Sequence, residues 1–170
     1  MEDKNKEEGK MKLVVAFMNF ENIVNADLNV CDEFMMKTSF TSCIRQFEEA
    51  LEEDNDLGEA NMYIAECYMN NMEYEKGINH AKEALKKFEA GCSLVTKGSI
   101  KDCKAYTYKI IAMIHIYRAH DYFNEGNFEK MNESHKESLK CFQKAIENNP
   151  EDIRLKMLYE HFKTTINFPR

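Results

Sequence analysis

Glycine and proline are scarce in this chain, with six Gly and two Pro among 170 residues. Sandwiches and barrels need turn residues every eight to twelve positions or so, and a turn-rich β architecture is excluded on that ground. An excess of basic charge is also missing: 23 Lys and Arg stand against 30 Asp and Glu, a net charge of −7. A general nucleic-acid binder clusters Lys and Arg to displace counterions from phosphate, so that class is excluded as well. No long apolar run is present. The longest, Leu13 to Met18, falls far short of the roughly 20 residues that cross a bilayer as a helix, and no membrane insertion is expected. The opening Met1 to Lys10 is polar and carries both signs of charge, which fits neither a secretory leader nor a mitochondrial presequence. The six cysteines, Cys31, Cys43, Cys67, Cys92, Cys103 and Cys141, include no CxxC pair. A disulfide scaffold would be shorter and denser in Cys. These absences predict a cytoplasmic protein with reduced thiols.

What is there is helical periodicity. From Ser99 to Glu125, Cys103, Tyr106, Ile110, Ile114 and Tyr117 recur at steps of three and four, the signature of one buried helical face. Phe128, Met131, His135, Leu139, Phe142 and Ile146 continue the spacing after Gly126, and Leu155, Leu158, Phe162 and Ile166 form a last stripe. Asn149 and Pro150, followed by Glu151 and Asp152, predict a capped start to that last helix. Lys10 to Val24 reads as an opening helix that is apolar on nearly all sides, which predicts burial against more than one neighbour. Residues 1–9 read as a disordered tail. With a charged fraction of 31% and an apolar fraction of 44%, the chain carries enough apolar matter for a core. No strand pattern competes, and the expected fold class is all-α.

A repeat is visible inside this pattern. Ala65, Tyr68, Tyr74, Gly77, Ala81, Ala84 and Leu85 place small residues and aromatics at spacings that resemble a tetratricopeptide repeat. Asn61 stands where that family usually has Trp, and Ala81 where it usually has an aromatic. One family period of 34 residues earlier, Phe34, Phe40, Phe47, Ala50 and Leu51 make a fainter copy, with Cys31 and Cys43 in place of its small residues. A third copy turns at Gly126 and ends at Ala145 to Pro150, with both arms lengthened by about two helical turns.

The resemblance implies a right-handed solenoid of antiparallel helix hairpins within a single domain over 10–170. Its parts would be an opening helix over 10–24, hairpins over 25–57, 58–91 and 99–150 (the third elongated), and a C-terminal capping helix over 151–166. In the first hairpin, Cys31 and Cys43 would approach each other.

Chemistry-bearing motifs are missing. His80, His115, His120, His135 and His161 form no HExxH and lie at no ligand-like spacing from a Cys, and neither a P-loop nor GxSxG nor GxGxxG occurs. The Glu48–Glu49 and Glu52–Glu53 pairs lie along a solvated helix face, whereas acid–base work needs a water-poor cleft. No catalytic residue, metal or cofactor is therefore expected, and the chain is read as a non-enzyme.

The resemblance further implies a concave groove lined by first helices. By that carry-over Asp32 and Met36 come from the first hairpin, Glu59, Met62, Tyr63, Glu66 and Met69 from the second, and Met113, Tyr117 and His120 from the third. Such a groove would be rich in Met, which adapts to helices of varied shape. Its charges are acidic, unlike those of family members that clamp acidic C-terminal tails. The implied function is an adaptor binding an apolar or basic helical or peptide segment of a protein partner. Two rivals stand beside it. One is a structural subunit of a large assembly, its groove filled by its own or a neighbouring helix. The other is an RNA-binding superhelix, which the acidic groove disfavours.

Overall fold

The computed structural model describes residues 2–25, 33–96 and 98–166. Among these there are seven helices and no strands: α1 (Glu2–Val24), α2 (Glu33–Glu53), α3 (Gly58–Asn70), α4 (Tyr74–Ala90), α5 (Ile100–Asn124), α6 (Phe128–Asn148) and α7 (Ile153–Ile166). The fold is all-α. The chain divides into two compact units, Met1–Ile100 and Lys101–Arg170.

In the first unit, α1 and α2 pack antiparallel, because Lys12 Nζ reaches Glu53 Oε1 at 2.6 Å and Asn19 Nδ2 donates to Gln46 Oε1 at 2.8 Å. Helix α1 begins eight residues before the expected Lys10. Ion pairs between Lys10 and Glu7 and between Lys12 and Glu8 run one turn apart along this early stretch, and such pairs support helix locally. Gly9 then permits a close crossing, since a Cβ there would lie 2.8 Å from that of Asp54. Further along, Leu13, Ala16 and Phe20 are buried. The Phe20 ring lies 6.3 Å from Phe40 and 6.2 Å from Phe47 on α2. Fully burying each such ring contributes about 1.5–3 kcal/mol.

The stretch 25–57, expected as a two-helix hairpin, instead holds one continuous helix over 33–53. No Gly or Pro interrupts it. Thr38 and Thr41 donate their hydroxyls back to the carbonyls of Phe34 and Lys37, so residues that could have opened a turn are satisfied inside the helix. The antiparallel partner of α2 is α1. Cys31 lies outside the described residues, and Cys43 is buried near Cys67 of α3.

Helices α3 and α4 form the hairpin expected over 58–91. Ala65, Gly77, Ala81 and Ala84 are buried where the two approach. The Tyr68 ring stacks on His80 at 5.4 Å, with the Lys76 ammonium 5.2 Å above it. Gly91 closes α4 in the left-handed conformation at φ 82°, a geometry with no steric penalty for Gly.

In the second unit, α5 and α6 make the elongated hairpin. Asn149 Nδ2 donates to Asp102 at 3.0 Å, and Lys144 and Lys130 stand over Tyr108 and Tyr122 at 5.4 and 5.5 Å. The antiparallel pairing therefore runs from the base to the turn at Gly126. Helix α7 returns along α6: Leu155 packs with Ala105 and Ala145, and Phe162 stacks on Phe142 at 5.6 Å. Asp152, not Asn149, caps α7, accepting from Arg154 N and Leu155 N. Asn149 is spent on Asp102.

Candidate functional site

Of the residues expected to line a groove, those on α3 are buried. Tyr63 and Glu59 are each 1% exposed, and Met62, Glu66 and Met69 are also covered. The cover belongs to the same unit. Phe17, Phe20 and Phe47 bring their ring centroids to 5.0, 5.5 and 5.4 Å from that of Tyr63. Its hydroxyl hydrogen-bonds the Thr96 hydroxyl at 2.8 Å.

Beside it, the Glu59 carboxylate accepts three hydrogen bonds: from the backbone N–H groups of Val95 and Thr96, and from Thr96 Oγ1 at 2.6 Å. Charge-assisted bonds of this kind are about twice as strong as neutral ones. A buried carboxylate needs such partners to offset the loss of its hydration. Residues 92–96 are thus a strap fastened across the N-terminal half of α3. The open groove expected there is absent, because α1 and the strap fill it.

The remaining expected positions are scattered. Asp32 lies outside the described residues, and Met36 is half-buried on α2. On α5 of the second unit, Met113 is half-buried while Tyr117 and His120 are exposed. His120 Nδ1 lies 3.3 Å from Asn124 Nδ2, an ordinary one-turn contact.

An open apolar surface lies on α1, a helix expected to be buried on more than one side. Leu13, Ala16 and Phe20 do face inward, but Met11, Val15 and Met18 are 70, 58 and 59% exposed. These three recur at steps of four and three, a second apolar stripe beside the buried one. Met11, Val15 and Ala16, with Gln46 and Glu49 of α2, line an open cavity of about 670 Å³. Glu7 and Glu8 are on its rim together with Lys4 and Lys12. The Lys12 ammonium bonds the Glu53 carboxylate, and that bond raises its pKa above the usual lysine value. The signal was present in the sequence: positions 11, 15 and 18 interleave with 13, 16 and 20, so one helix carries two stripes. The cover from α2 and Tyr63 of α3 reaches the first stripe and leaves the second exposed.

A second cavity of about 370 Å³ opens between α5 and α6, lined by His115, Arg118, Tyr122, Lys130, Ser134 and Glu137 among others. Arg118 donates to the Tyr122 hydroxyl at 3.1 Å. Glu137 is bonded by Lys140, which holds its carboxyl below the usual range. Glu137 is thus compensated within α6.

The buried and half-buried thiols are poor nucleophiles. Burial raises the pKa of Cys43, Cys67 and Cys92 above the ordinary thiol value, and pushes Cys141 up to about 11. At neutral pH they stay protonated and pack as small apolar groups. Among the described residues, no three His, Cys, Asp or Glu are grouped so as to hold a metal ion. No described helix is long and apolar enough to cross a membrane.

No protein-family model matches the chain, and no curated protein sequence matches it.

Proposed function

We propose that this chain is a helical protein-interaction module, an adaptor that takes an apolar helix with basic flanks against the outer side of α1. The observation that carries the reading is the exposure of Met11 and Val15 in a cavity edged by α2, with exposed Met18 continuing their stripe. A helix laid into such a groove reads its partner through anchors spaced at three and four residues. Met adapts its shape to the side chains it meets. The resemblance of residues 58–91 to a tetratricopeptide repeat supports a binding role, with the binding surface moved from the filled side of α3 to α1. Helices α1 and α2 together carry ten carboxylates against six basic side chains, which favours basic flanks on the partner.

The second reading, a structural subunit whose groove is filled by its own helix, draws support from the burial of Tyr63 beneath Phe17 and Phe20. The two are compatible, since filling the α3 side leaves α1 as the outer layer.

The test is a titration with a labelled amphipathic Leu/Lys helical peptide, followed by fluorescence anisotropy. Val15→Glu should weaken binding by about tenfold or more, as expected for a central interface anchor. The thermal midpoint should hardly move, because Val15 is exposed. Equal affinity of the peptide for wild type and variant would reject the α1 surface.

A further inference from the structure

We infer that the cavity between α5 and α6 binds a small zwitterion of the α-amino-acid class, its carboxylate held by Lys130 and Arg118 and its ammonium by Glu133. The site lies wholly within the second unit and is independent of the α1 surface. Charge of both signs, a buried hydroxyl and the size of the cavity carry the inference.

Two cations converge on one ring. The Arg118 guanidinium carbon lies 5.9 Å from the Tyr122 ring centroid, and the Lys130 ammonium lies 5.5 Å from it. Arg118 also donates to the Tyr122 hydroxyl at 3.1 Å, through one of the five N–H donors a guanidinium carries. Lys130 enters no ion pair among the described residues. Like charges this close repel, and a carboxylate bound between them relieves the repulsion through charge-assisted hydrogen bonds.

Glu133 supplies the opposite charge. A Glu followed three positions on by Lys occurs six times in the chain, and five of these pairs close at 2.6 to 3.6 Å. The sixth, Glu133 with Lys136, does not close. Glu133 lines the cavity instead, one turn beyond Lys130 on the same face of α6, and is ion-paired with neither lysine. Side chains at this spacing are neighbours on a helix. An α-amino acid hangs both of its charges from one carbon, which matches a cation and a carboxylate set so near each other.

A buried hydroxyl faces the same space. Ser134 is 7% exposed, lines the cavity and makes no side-chain hydrogen bond among the described residues. Buried hydroxyls are nearly always bonded, and this one can donate to a ligand carboxylate or accept from its ammonium. His115 and Glu137 complete the lining, with the Glu137 carboxylate bonded by Lys140 at 2.6 Å.

The size and the mixed charge narrow the class. About 370 Å³ is at the small end of ligand pockets, room for an amino acid rather than for a helix. A plain anion such as phosphate would meet Glu133 as a like charge, and a plain amine would meet Arg118 and Lys130 in the same way.

The experiment screens the full chain by thermal shift against the proteinogenic L-amino acids, one at a time at millimolar concentration, with inorganic phosphate beside them. At least one amino acid should raise the thermal midpoint in a dose-dependent way, as a ligand of the native state does. Its Nα-acetyl and α-amide derivatives should fail, since the first lacks the ammonium and the second the carboxylate. In isothermal titration with that amino acid, Lys130→Gln and Glu133→Gln should each lose about tenfold or more in affinity, the worth of a bond to a charged group. Both positions are exposed, and circular dichroism checks that the variants remain helical. Lys163→Gln on α7, outside the cavity, should bind as wild type does. A screen in which no amino acid moves the midpoint overturns the inference. An amino acid that binds both cavity variants as tightly as wild type sits elsewhere and overturns it too. So does phosphate that binds wild type and binds Glu133→Gln more tightly, which would make the cavity a plain anion site. The α1 reading is decided separately, by Val15→Glu and the helical peptide.

Discussion

Tyr63 is held by three aromatic rings and one hydroxyl, which makes it a core residue by contact. Truncation to Ala should cost about 3–5 kcal/mol, the usual loss for a buried aromatic. Tyr63→Phe keeps the ring and gives up the bond to Thr96, a loss of about 1 kcal/mol. Urea unfolding of both variants checks the pair. An Ala variant within 1 kcal/mol of wild type would mean that the cover over α3 opens freely. The sequence could place Tyr63 on the first helix of a hairpin, since local spacing settles that. It could not say what covers the residue. Phe17 and Phe20 lie more than forty positions away, and Thr96 lies 33 positions on. Periodicity carries no information about contacts that distant.

Elements were readable where local punctuation is strong. The α3–α4 hairpin could be outlined from Gly58 to Gly91, because Gly91 takes the left-handed cap that few other residues accept. Helix α2 departs from the 34-residue family period for the complementary reason: the segment has no breaker at its middle, and helix continues through it. Two helices also carry pH-sensitive groups. Burial, joined by the nearby Lys87 charge, lowers the pKa of His80 on α4 from its usual 6.5 against a weaker opposing pull from Glu83. Burial does the same to His135 on α6. Each is neutral in the fold and regains the ordinary value of about 6.5 when the chain unfolds. Above that value both states bind few protons at these sites, and the stability is fully present. As pH falls below it, the unfolded chain takes up protons first, so stability is lost toward the folded-state values. The thermal midpoint should therefore drop between pH 7.5 and 5.5, and His135→Phe should make that drop shallower. A midpoint that rises on acidification would contradict the burial of both rings.

For the whole molecule, composition settled the class and local pattern settled most helices, while the exposed apolar stripe on α1 followed from packing. An apolar helix reads as deeply buried in sequence, yet burial depends on how many neighbours arrive. For α1 only one flank is taken by α2, and Tyr63 uses part of what remains. The strap across α3 has a consequence for where the first unit ends as a cooperative entity. By helix count it is complete at Ala90, where α4 stops. By hydrogen bonding it is not, because Glu59 draws all three of the donors described above from Val95 and Thr96. Residues 1–91 alone would take those three bonds from the buried carboxylate or hydrate it by loosening α3, and bonds to a charged group contribute roughly 1.5–3 kcal/mol each. Since the N-terminal part of a chain emerges first during synthesis, α1 to α4 can be fully extruded and still lack their last fastening. The unit locks only when Thr96 follows.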